Sequence, residues 1–469
     1  MSGLLEQALA GHRPRPDHLD VAGSAAAATA ADERAGLLRA VSYGTVRRVV
    51  GTELELTGLR LAVGDAVDVV SRDGARVAEV VAVADGACRA LVLGGIDGIA
   101  RGDRVRPRPG PLTSPIGDAL LGRIVDALGN PLDGGPPIDA PRDRVDAPAL
   151  HALERQRIAE PLATGVRLID TLCTVGRGQR LGLFAGSGVG KSTLLAMMVR
   201  GTSASRSVIA LVGERGREVR EFVEDVLGPE GLARSTVVVA TSDEPALLRL
   251  RAAVLATRIA EVYADDGHDV LLTVDSITRL ATAQREIGLA AGEPPTSRGY
   301  PPSVFSLLPK LLERSGPRAN GTVTAFYTVL VEGGDHDEPV ADAARSILDG
   351  HLVLDRALTS QGRFPAIDPL QSLSRLATIV TSEEQQQVAA TIRRGLAAAE
   401  RVRDLVEVGA YVSGTDRIAD AALAMEEQLT AFLAQAADEI CPPPDAWERL
   451  AALANDLEQQ AAGDGEVAA

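Results

Sequence analysis

The sequence has few of the residues that build metal or redox sites. Of its 469 residues only six are histidines, and only three are cysteines: Cys88, Cys173 and Cys441. The cysteines are far apart, odd in number and never spaced as a CxxC pair. This argues against a zinc site and against a disulfide framework. We therefore expect the chain to work in a reducing, cytoplasmic environment.

Aromatic residues are also scarce, at 3% of the chain with a single tryptophan, so the core must be built from Ala, Val, Leu and Ile. No run of roughly 18 or more apolar residues occurs, which argues against a membrane-spanning helix. The N-terminus lacks a basic start followed by an apolar stretch, and we expect no signal peptide.

Basic residues are outnumbered by acidic ones. The chain has 48 Lys and Arg and 64 Asp and Glu, which gives a formal net charge of −16. Nucleic-acid phosphates attract Lys and Arg, so we expect no nucleic-acid partner. The alternative is that a local basic channel exists despite the negative net charge. Hydrophobic residues at 45% and charged residues at 24% are typical of a soluble globular protein.

The length predicts about three domains. Residues 1–35 are Ala-rich with little bulky apolar content, and we interpret them as a flexible tail. Residues 36–107 hold short β-type runs separated by Asp-Gly pairs, which predicts a small antiparallel β-barrel. Residues 108–150 are rich in Pro and Gly, and we interpret them as a linker wrapping the next domain.

Residues 108–382, which include that linker, are predicted to form an α/β domain. Apolar strands alternate with helices such as Pro245–Ala264, and strands covered on both faces read as continuous apolar runs. This pattern indicates a mostly parallel sheet with crossover helices. Residues 383–469, rich in Ala, Glu, Gln, Arg and Leu, are predicted to be a C-terminal helical domain. The predicted strands are Leu181–Phe184, Val208–Val212, Thr236–Ala240, Val270–Val274, Val323–Val329 and Leu352–Leu354.

A glycine-rich segment between an apolar strand and an apolar helix has the Walker A pattern, with Ala185 where the strict form starts with Gly. Glycines let backbone N–H groups turn inward around a phosphate, and the helix N-terminus adds partial positive charge. We predict that Lys191 reaches the β- and γ-phosphates of ATP and that Ser192 holds Mg²⁺. The predicted phosphate-binding residues are Gly186, Ser187, Gly188, Val189, Gly190, Lys191, Ser192 and Thr193.

Two carboxylates follow predicted strands of the same sheet, at the edge where α/β proteins bind ligands. Asp275 ends an apolar run and is the candidate second metal anchor; the alternative is an acid that caps the next helix. Glu214 follows Val208–Val212 and is the candidate base that orients the attacking water, with a structural ion pair as the alternative.

Six elements of the sequence together resemble the type III secretion and flagellar export ATPases, which are similar to the α and β subunits of rotary ATP synthase. The likeness covers about residues 40–435 and implies a RecA-like P-loop ATPase core. The elements are FAGSGVGKSTLL from Phe184, GERGREV from Gly213, LLTVDSITR from Leu271, GEPPTSRGYPPSVF from Gly292, SILDGHLVLDR from Ser346 and FPAIDPLQSLSR from Phe364.

The resemblance implies further roles for single residues. Glu214 matches the family's catalytic glutamate, and Arg215 and Arg279 match arginines near the γ-phosphate. Arg375 matches the arginine finger that reaches a neighbouring subunit's site, with a surface salt bridge as its alternative. Phe364 stands where the family often has a Tyr stacked on adenine, with core packing as its alternative.

The resemblance also implies partners and a location. We expect a homohexamer that hydrolyses ATP with Mg²⁺, works with a central stalk protein, an export gate, export substrates and chaperones, and sits peripherally at the inner membrane. A stator-like negative regulator would bind the N-terminus, a hypothesis motivated by the Leu4, Leu5 and Leu9 spacing. One departure from the family is Gly333 and Gly334, where the family often carries an acid.

Three alternatives use similar residues. A catalytic subunit of rotary ATP synthase would need a second, degenerate partner subunit, whereas this chain carries a full set of groups. A Rho-like translocase would need RNA-binding aromatics and basic loops, which the predicted barrel lacks. A non-hydrolysing regulatory subunit would be expected to lose Lys191 or Glu214, and both are present. The motifs are shared by flagellar and injectisome systems, and the Gly186–Gly188 and Val408–Tyr411 segments slightly favour the flagellar one.

Overall fold

The structure is a computed structural model that describes residues 42–84, 86–331 and 338–463. The predicted tail at 1–35, the regulator hypothesis that rests on it, and the departure at Gly333 and Gly334 lie outside the described residues. Among the described residues, no helix is both long and apolar enough to span a bilayer.

The first six strands close into a barrel with the order β1-β2-β5-β4-β3-β6, as the sequence predicted. Alternation creates its core: along β2 the side chains of Leu54 and Leu56 point inward and are buried, while their neighbours are only partly covered. The strands are β1 (Gly44–Val50), β2 (Glu53–Thr57), β3 (Ala66–Ser71), β4 (Gly74–Ala84), β5 (Ala87–Val92) and β6 (Arg104–Pro107).

The next thirteen described strands include the central sheet, whose order is β19-β18-β12-β17-β15-β13-β14-β8, with β16 paired to β17. The strands are β7 (Thr113–Pro115), β8 (Ile124–Asp126), β9 (Arg142–Arg144), β10 (Pro161–Leu162), β11 (Val175–Gly176), β12 (Arg180–Ala185), β13 (Arg206–Glu214), β14 (Ser235–Thr241), β15 (Asp269–Asp275), β16 (Gly316–Pro317), β17 (Thr322–Leu330), β18 (Gly350–Leu354) and β19 (Ile367–Ser374).

The central sheet confirms the predicted fold class. From β18 to β8 the neighbouring strands along the order run parallel, and β13, β14 and β15 are buried along almost their whole length. Hydrophobic side chains from both faces pack against helices, so two apolar clusters enclose the sheet.

Two edge strands were not predicted. β8 comes from the segment interpreted as a linker and pairs in parallel with β14, so part of that segment completes the sheet. β19 runs antiparallel to β18. Three residues in β8 are too few to show a periodicity, and β19 is interrupted by Asp368 and Pro369, so neither carries a clear strand pattern.

The longer helices pack on the sheet or form the C-terminal bundle, where α11 contacts α12 and α14. Helix α11 begins with a capping box of Ser382 and Gln385. The α-helices are α1 (Arg167–Leu172), α2 (Lys191–Gly201), α3 (Gly216–Glu221), α4 (Gly228–Ala233), α5 (Ala246–Asp265), α6 (Ile277–Ala290), α7 (Pro302–Leu312), α8 (Pro339–Ile347), α9 (Arg356–Ser360), α10 (Ala377–Val380), α11 (Glu383–Glu407), α12 (Arg417–Ala424), α13 (Glu426–Leu433) and α14 (Pro443–Gly463).

Candidate active site

The glycine-rich segment forms a loop between β12 and α2, beside a cavity of about 930 Å³. Gly188 and Gly190 have φ angles of 77° and 86°, a left-handed conformation that glycine adopts without strain. Gly190 is the N-cap of α2 and lines the cavity, so the free N–H groups at the start of that helix face the cavity. The loop is built to receive a phosphate group.

Lys191 lies between the two predicted carboxylates. Its Nζ is 3.2 Å from Glu214 Oε1 and is also paired with Asp275 Oδ1. The three side chains are 13%, 8% and 3% exposed. Buried charges are stable only when they are paired, and here one ammonium group faces two carboxylates. The parallel strands β13 and β15 end side by side, which is why residues 61 positions apart in the chain meet here.

Asp275 is oriented toward the cavity and does not cap the following helix. Thr328 Oγ1 donates to Asp275 Oδ1 at 2.7 Å from the adjacent strand β17. The N-cap of α6 is Ser276, whose Oγ accepts from the Arg279 backbone N–H at 3.3 Å. The capping alternative for Asp275 is therefore wrong, because the neighbouring serine performs that role.

Glu214 is held on its second oxygen by Arg279. The Nη2 of Arg279 is 3.2 Å from Glu214 Oε2, and its Nη1 donates to the Gly213 carbonyl. Gly213 has a φ of 70°, and a side chain there would meet Arg279 at 3.1 Å. The carboxylate of Glu214 thus has a cation on each side and lines the cavity.

Arg215 occupies a different environment from Arg279. Its side chain is 76% exposed and pairs with Glu218 at 3.3 Å, on the rim of the cavity. Exposed pairs of this kind contribute little to stability. Arg215 is therefore available to change partner when a ligand enters.

Sequence reasoning missed Arg356 and Thr328. Arg356 lines the cavity, and its Nη2 donates to the Ser187 carbonyl of the phosphate loop at 3.0 Å. Thr328 reaches the site from β17 and Arg356 from the start of α9, and Arg356 lies 169 positions from Ser187. Arg356 is the last residue of the SILDGHLVLDR element, but no role was assigned to it there, and Thr328 lies in none of the six elements. The neighbouring positions of β12, β17 and β18 in the sheet bring both residues to the site.

The donor set fits a magnesium ion. Ser192 and Asp275 both line the cavity and offer a hydroxyl and a carboxylate oxygen. No group of three or more His, Cys, Asp or Glu able to hold a metal occurs among the described residues. Mg²⁺ does not need one, since it takes one or two protein oxygens and completes its shell with water and phosphate oxygens.

The remaining two predicted residues lie apart from the carboxylates. The Phe364 side chain is 46% exposed, and a side chain at Gly190 would touch its ring at 3.6 Å, so the ring borders the phosphate loop and is not core packing. Arg375 follows the last residue of β19, which pairs with Gly350 at the start of β18. It therefore lies at the amino edge of the sheet, opposite the phosphate loop, and is exposed.

A phosphate loop at the carboxyl edge of a mostly parallel sheet, with a lysine and two strand-end carboxylates beside it, defines a RecA-like P-loop ATPase. The sequence profile described as the ATP synthase alpha/beta family, nucleotide-binding domain, matches residues 165–374. The profile described as the T3SS EscN ATPase C-terminal domain matches residues 381–452.

Individual proteins agree with the profiles. The flagellum-specific ATP synthase of Bacillus subtilis is 48% identical over 416 residues, spanning 88% of this chain and 94% of that protein. The type 3 secretion system ATPase of Xanthomonas euvesicatoria is 46% identical over 417 residues, spanning 88% and 94%. The assembled ATPase EscN of enteropathogenic E. coli has a TM-score of 0.84 at 41% identity, covering 88% of this chain and 100% of that one.

The chain belongs to the family of flagellum-specific ATP synthases and type 3 secretion system ATPases. The resemblance recognised in the sequence is confirmed. The match to the EscN C-terminal domain places residues 381–452 with the type III secretion ATPases, in addition to the nucleotide-binding domain at 165–374.

Proposed function

We propose that the protein is the ATP-hydrolysing motor of a flagellar or injectisome export apparatus and works as a homohexameric ring. One observation supports the homohexameric ring. The phosphate-site residues Lys191, Glu214 and Asp275 share one cavity. Arg375, in contrast, is exposed at the opposite edge of the sheet. An arginine at that edge lies away from its own phosphate loop, which supports a role as a finger for a neighbour's loop. Heterologous contacts of this kind close into rings.

Within one site, each group has a distinct task. Lys191 and the loop N–H groups bind the phosphates, and Phe364 stacks on the adenine ring. Glu214 orients the attacking water and accepts its proton, while Arg279 holds the carboxylate toward the cavity. Ser192 and Asp275 would hold Mg²⁺, which supplies charge neutralisation at the phosphates. Arg215 on the rim is free to turn toward the γ-phosphate.

Arg375 of the neighbouring subunit completes the site. Charge on the transferred γ-phosphoryl group spreads over its oxygens in the transition state, and an arginine delivered in trans stabilises it by roughly 10³–10⁵ in rate. Because the finger acts on the transition state, its loss should lower kcat far more than it changes KM for ATP.

The wider assembly is inferred from the relatives. EscN has been solved in complex with its central stalk EscO, with a TM-score of 0.81 to this chain. We infer a corresponding stalk partner here, with hydrolysis moving the C-terminal helices to release chaperones and to unfold and load export substrates at an export gate. The location would be cytoplasmic and peripheral to the inner membrane, with a regulator at the N-terminus and no nucleic-acid partner.

The test is the ATPase rate per subunit against protein concentration, with light scattering after size exclusion. We expect the rate to rise as hexamers form, since the sites are shared. Arg375→Ala should assemble and lose about 10³-fold in kcat. Mixing it with Lys191→Ala should restore activity, because about a quarter of the interfaces in random rings then combine an intact loop with an intact finger.

A constant rate from a monomer would contradict the shared site. An Arg375→Ala protein with full activity would contradict the finger and favour a synthase-type subunit that needs a second chain. Failure of the two inactive variants to complement each other, in rings shown to be mixed, would also contradict the finger.

A further inference from the structure

The backbone that carries Arg375 is fixed by a buried glutamine. Gln179 is fully buried, and its Nε2 donates to the Asp349 carbonyl and to Ser374 Oγ, both at 3.0 Å. Ser374 immediately precedes Arg375, and the Asp349 carbonyl accepts the Arg375 backbone N–H at 3.0 Å. The amide of Gln179 therefore contacts two groups next to the Arg375 backbone, the Ser374 hydroxyl and the Asp349 carbonyl. We call the backbone at Ser374 and Arg375 the base of the finger.

The hydrogen bonds around this amide leave no choice of orientation. The Gln179 Oε1 accepts from the Gly176 backbone N–H at 2.8 Å, while both Nε2 hydrogens are used. The Ser374 hydroxyl in turn donates to the Thr174 carbonyl at 2.7 Å. The carbonyl of Asp349 can only accept, so the nitrogen of the amide must face it. The group is neutral, buried and satisfied, which makes it rigid.

The tip of Arg375 is held much less firmly than its base. Its Nη2 makes one 3.4 Å contact to the Arg345 carbonyl, and the side chain is exposed. The position of the Arg375 Cα determines where its side chain can reach. A shift of the backbone by a fraction of an ångström therefore moves the guanidinium as well. Reaction rates are sensitive to such shifts, and about 1 Å can cost about 10²-fold.

We propose that Gln179 is a positioning residue that sets the arginine finger offered to the neighbouring subunit, acting through Ser374 and the Asp349 carbonyl. The proposal rests on the finger role of Arg375 proposed above. Gln179 would touch neither ATP nor the reacting atoms.

A competing effect must be separated in the experiment. Gln179 directly precedes β12, a six-residue strand of roughly 20 Å that ends at the subunit's own phosphate loop. A change at Gln179 could therefore damage the site in cis. Complementation distinguishes the two, since a damaged finger is rescued by a partner with an intact finger and a damaged loop is not.

The first variant is Gln179→Glu, which keeps the size but removes the donor to Asp349 and Ser374. We expect a loss in kcat of about 10²-fold with little change in KM for ATP. In mixed rings, Lys191→Ala should rescue it, because that variant keeps the finger and its base. Arg375→Ala should not rescue it, because neither subunit then offers a working finger.

The second variant, Ser374→Ala, removes a single hydroxyl and keeps the strand, so it guards against a folding defect in Gln179→Glu. We expect a loss in kcat of about 10-fold and the same rescue pattern. Its matched control is Ser235→Ala at the start of β14. Ser235 is also buried, and its Oγ also donates to a backbone carbonyl, that of Gly231 at 2.6 Å. This control should keep wild-type kcat.

The outcomes separate the two proposals. Rescue of both variants by Lys191→Ala alone supports the positioning role. Rescue by Arg375→Ala, or undiminished kcat in either variant, overturns it while leaving the finger intact. If Lys191→Ala and Arg375→Ala fail to complement each other, the finger itself fails, and the positioning role fails with it.

Discussion

The catalytic cluster and the backbone of Arg375 lie at opposite edges of the central sheet, and different kinds of polar group hold them in place. At the carboxyl edge Lys191, Glu214 and Asp275 are charged and lie beside an open cavity. At the amino edge the base of Arg375 is held by a neutral glutamine and a serine buried in the protein. The phosphate site keeps charge where a charged ligand arrives. The hydrogen bonds that Gln179 makes to hold the Arg375 backbone are neutral, and the ion pair of Arg180 with Asp349 lies beside them.

This difference follows from the physics of each task. A site that binds phosphate and transfers protons needs ionised groups, and their burial is tolerated only because they are paired. A backbone that presents an arginine to a neighbouring subunit must have a fixed position. Buried neutral hydrogen bonds can fix it without the cost of desolvating a charge. Variants at the carboxyl edge should therefore impair chemistry inside one subunit, and variants at the amino edge should impair it in the neighbour.

The largest effect is expected from Lys191→Ala at the carboxyl edge. Removing one phosphate-binding cation should lower kcat/KM by at least roughly 10²–10³-fold. It also leaves the carboxylates of Glu214 and Asp275 without their shared cation, so the melting temperature of the nucleotide-free protein should fall. Steady-state ATPase kinetics and thermal unfolding check the two parts.

Glu214→Gln provides the control for that prediction. It removes the proposed base and one of the two carboxylate charges around Lys191 but keeps a side chain of the same size. Hydrolysis should fall by about 10²–10⁴-fold while nucleotide affinity and melting temperature are retained. If Lys191→Ala melted like the wild type without nucleotide, the mutual stabilisation of the three charges would be wrong.

The carboxyl edge could be predicted from the sequence because its residues follow apolar strands directly. Lys191, Glu214 and Asp275 each lie in a short motif at the carboxyl end of an apolar strand. The carboxyl ends of parallel strands meet at one edge of the sheet, which brings the three residues together. The amino edge could not be predicted in this way. Gln179 and Ser374 meet across 195 positions, and nothing in either local sequence identifies the partner.

The same reasoning explains the fold. The barrel and the buried strands were visible through alternation and through long apolar runs, whereas β8 offers only three residues and joins the sheet through pairing with β14. Short edge strands are defined by their neighbours, and a single sequence does not show the neighbours.

A smaller effect is expected from Gly350→Ala, which tests the amino edge from the side of β18. A side chain at Gly350 would lie 2.4 Å from the Leu373 carbonyl and 3.0 Å from Ser374 Cα, so β19 must move. We expect a loss in stability of about 1–3 kcal/mol and a fall in kcat of roughly 10-fold at unchanged KM for ATP.

The control for this variant is Gly94→Ala, where a side chain would meet no atom within 4 Å. It should match the wild type in both melting temperature and kcat. A Gly350→Ala protein with normal kcat would show that the finger tolerates displacement of its strand, and the contrast between the two edges would weaken.

The smallest effect concerns a partly buried carboxylate that is less closely paired than those at the carboxyl edge. Glu79 on β4 of the barrel faces Arg251 on α5, with 3.9 Å between Glu79 Oε2 and Arg251 Nη1. Burial raises the pKa of Glu79 to about 7; Arg251 opposes this shift, and Asp146 adds to it. The folded protein thus holds a proton that the unfolded chain releases near pH 4.5.

The sign of the pH dependence follows from that difference. The contribution of Glu79 to stability is fully present below about pH 4.5 and is lost as the pH rises through about 7, because the buried group must then ionise. Glu79→Gln cannot ionise and should melt roughly 2–4 °C above the wild type at pH 8. At pH 5 the two should melt together, since Glu79 is then protonated in the fold. Equal melting temperatures at pH 8 would mean that Arg251 compensates the charge fully, and that close pairing of buried carboxylates extends beyond the catalytic edge.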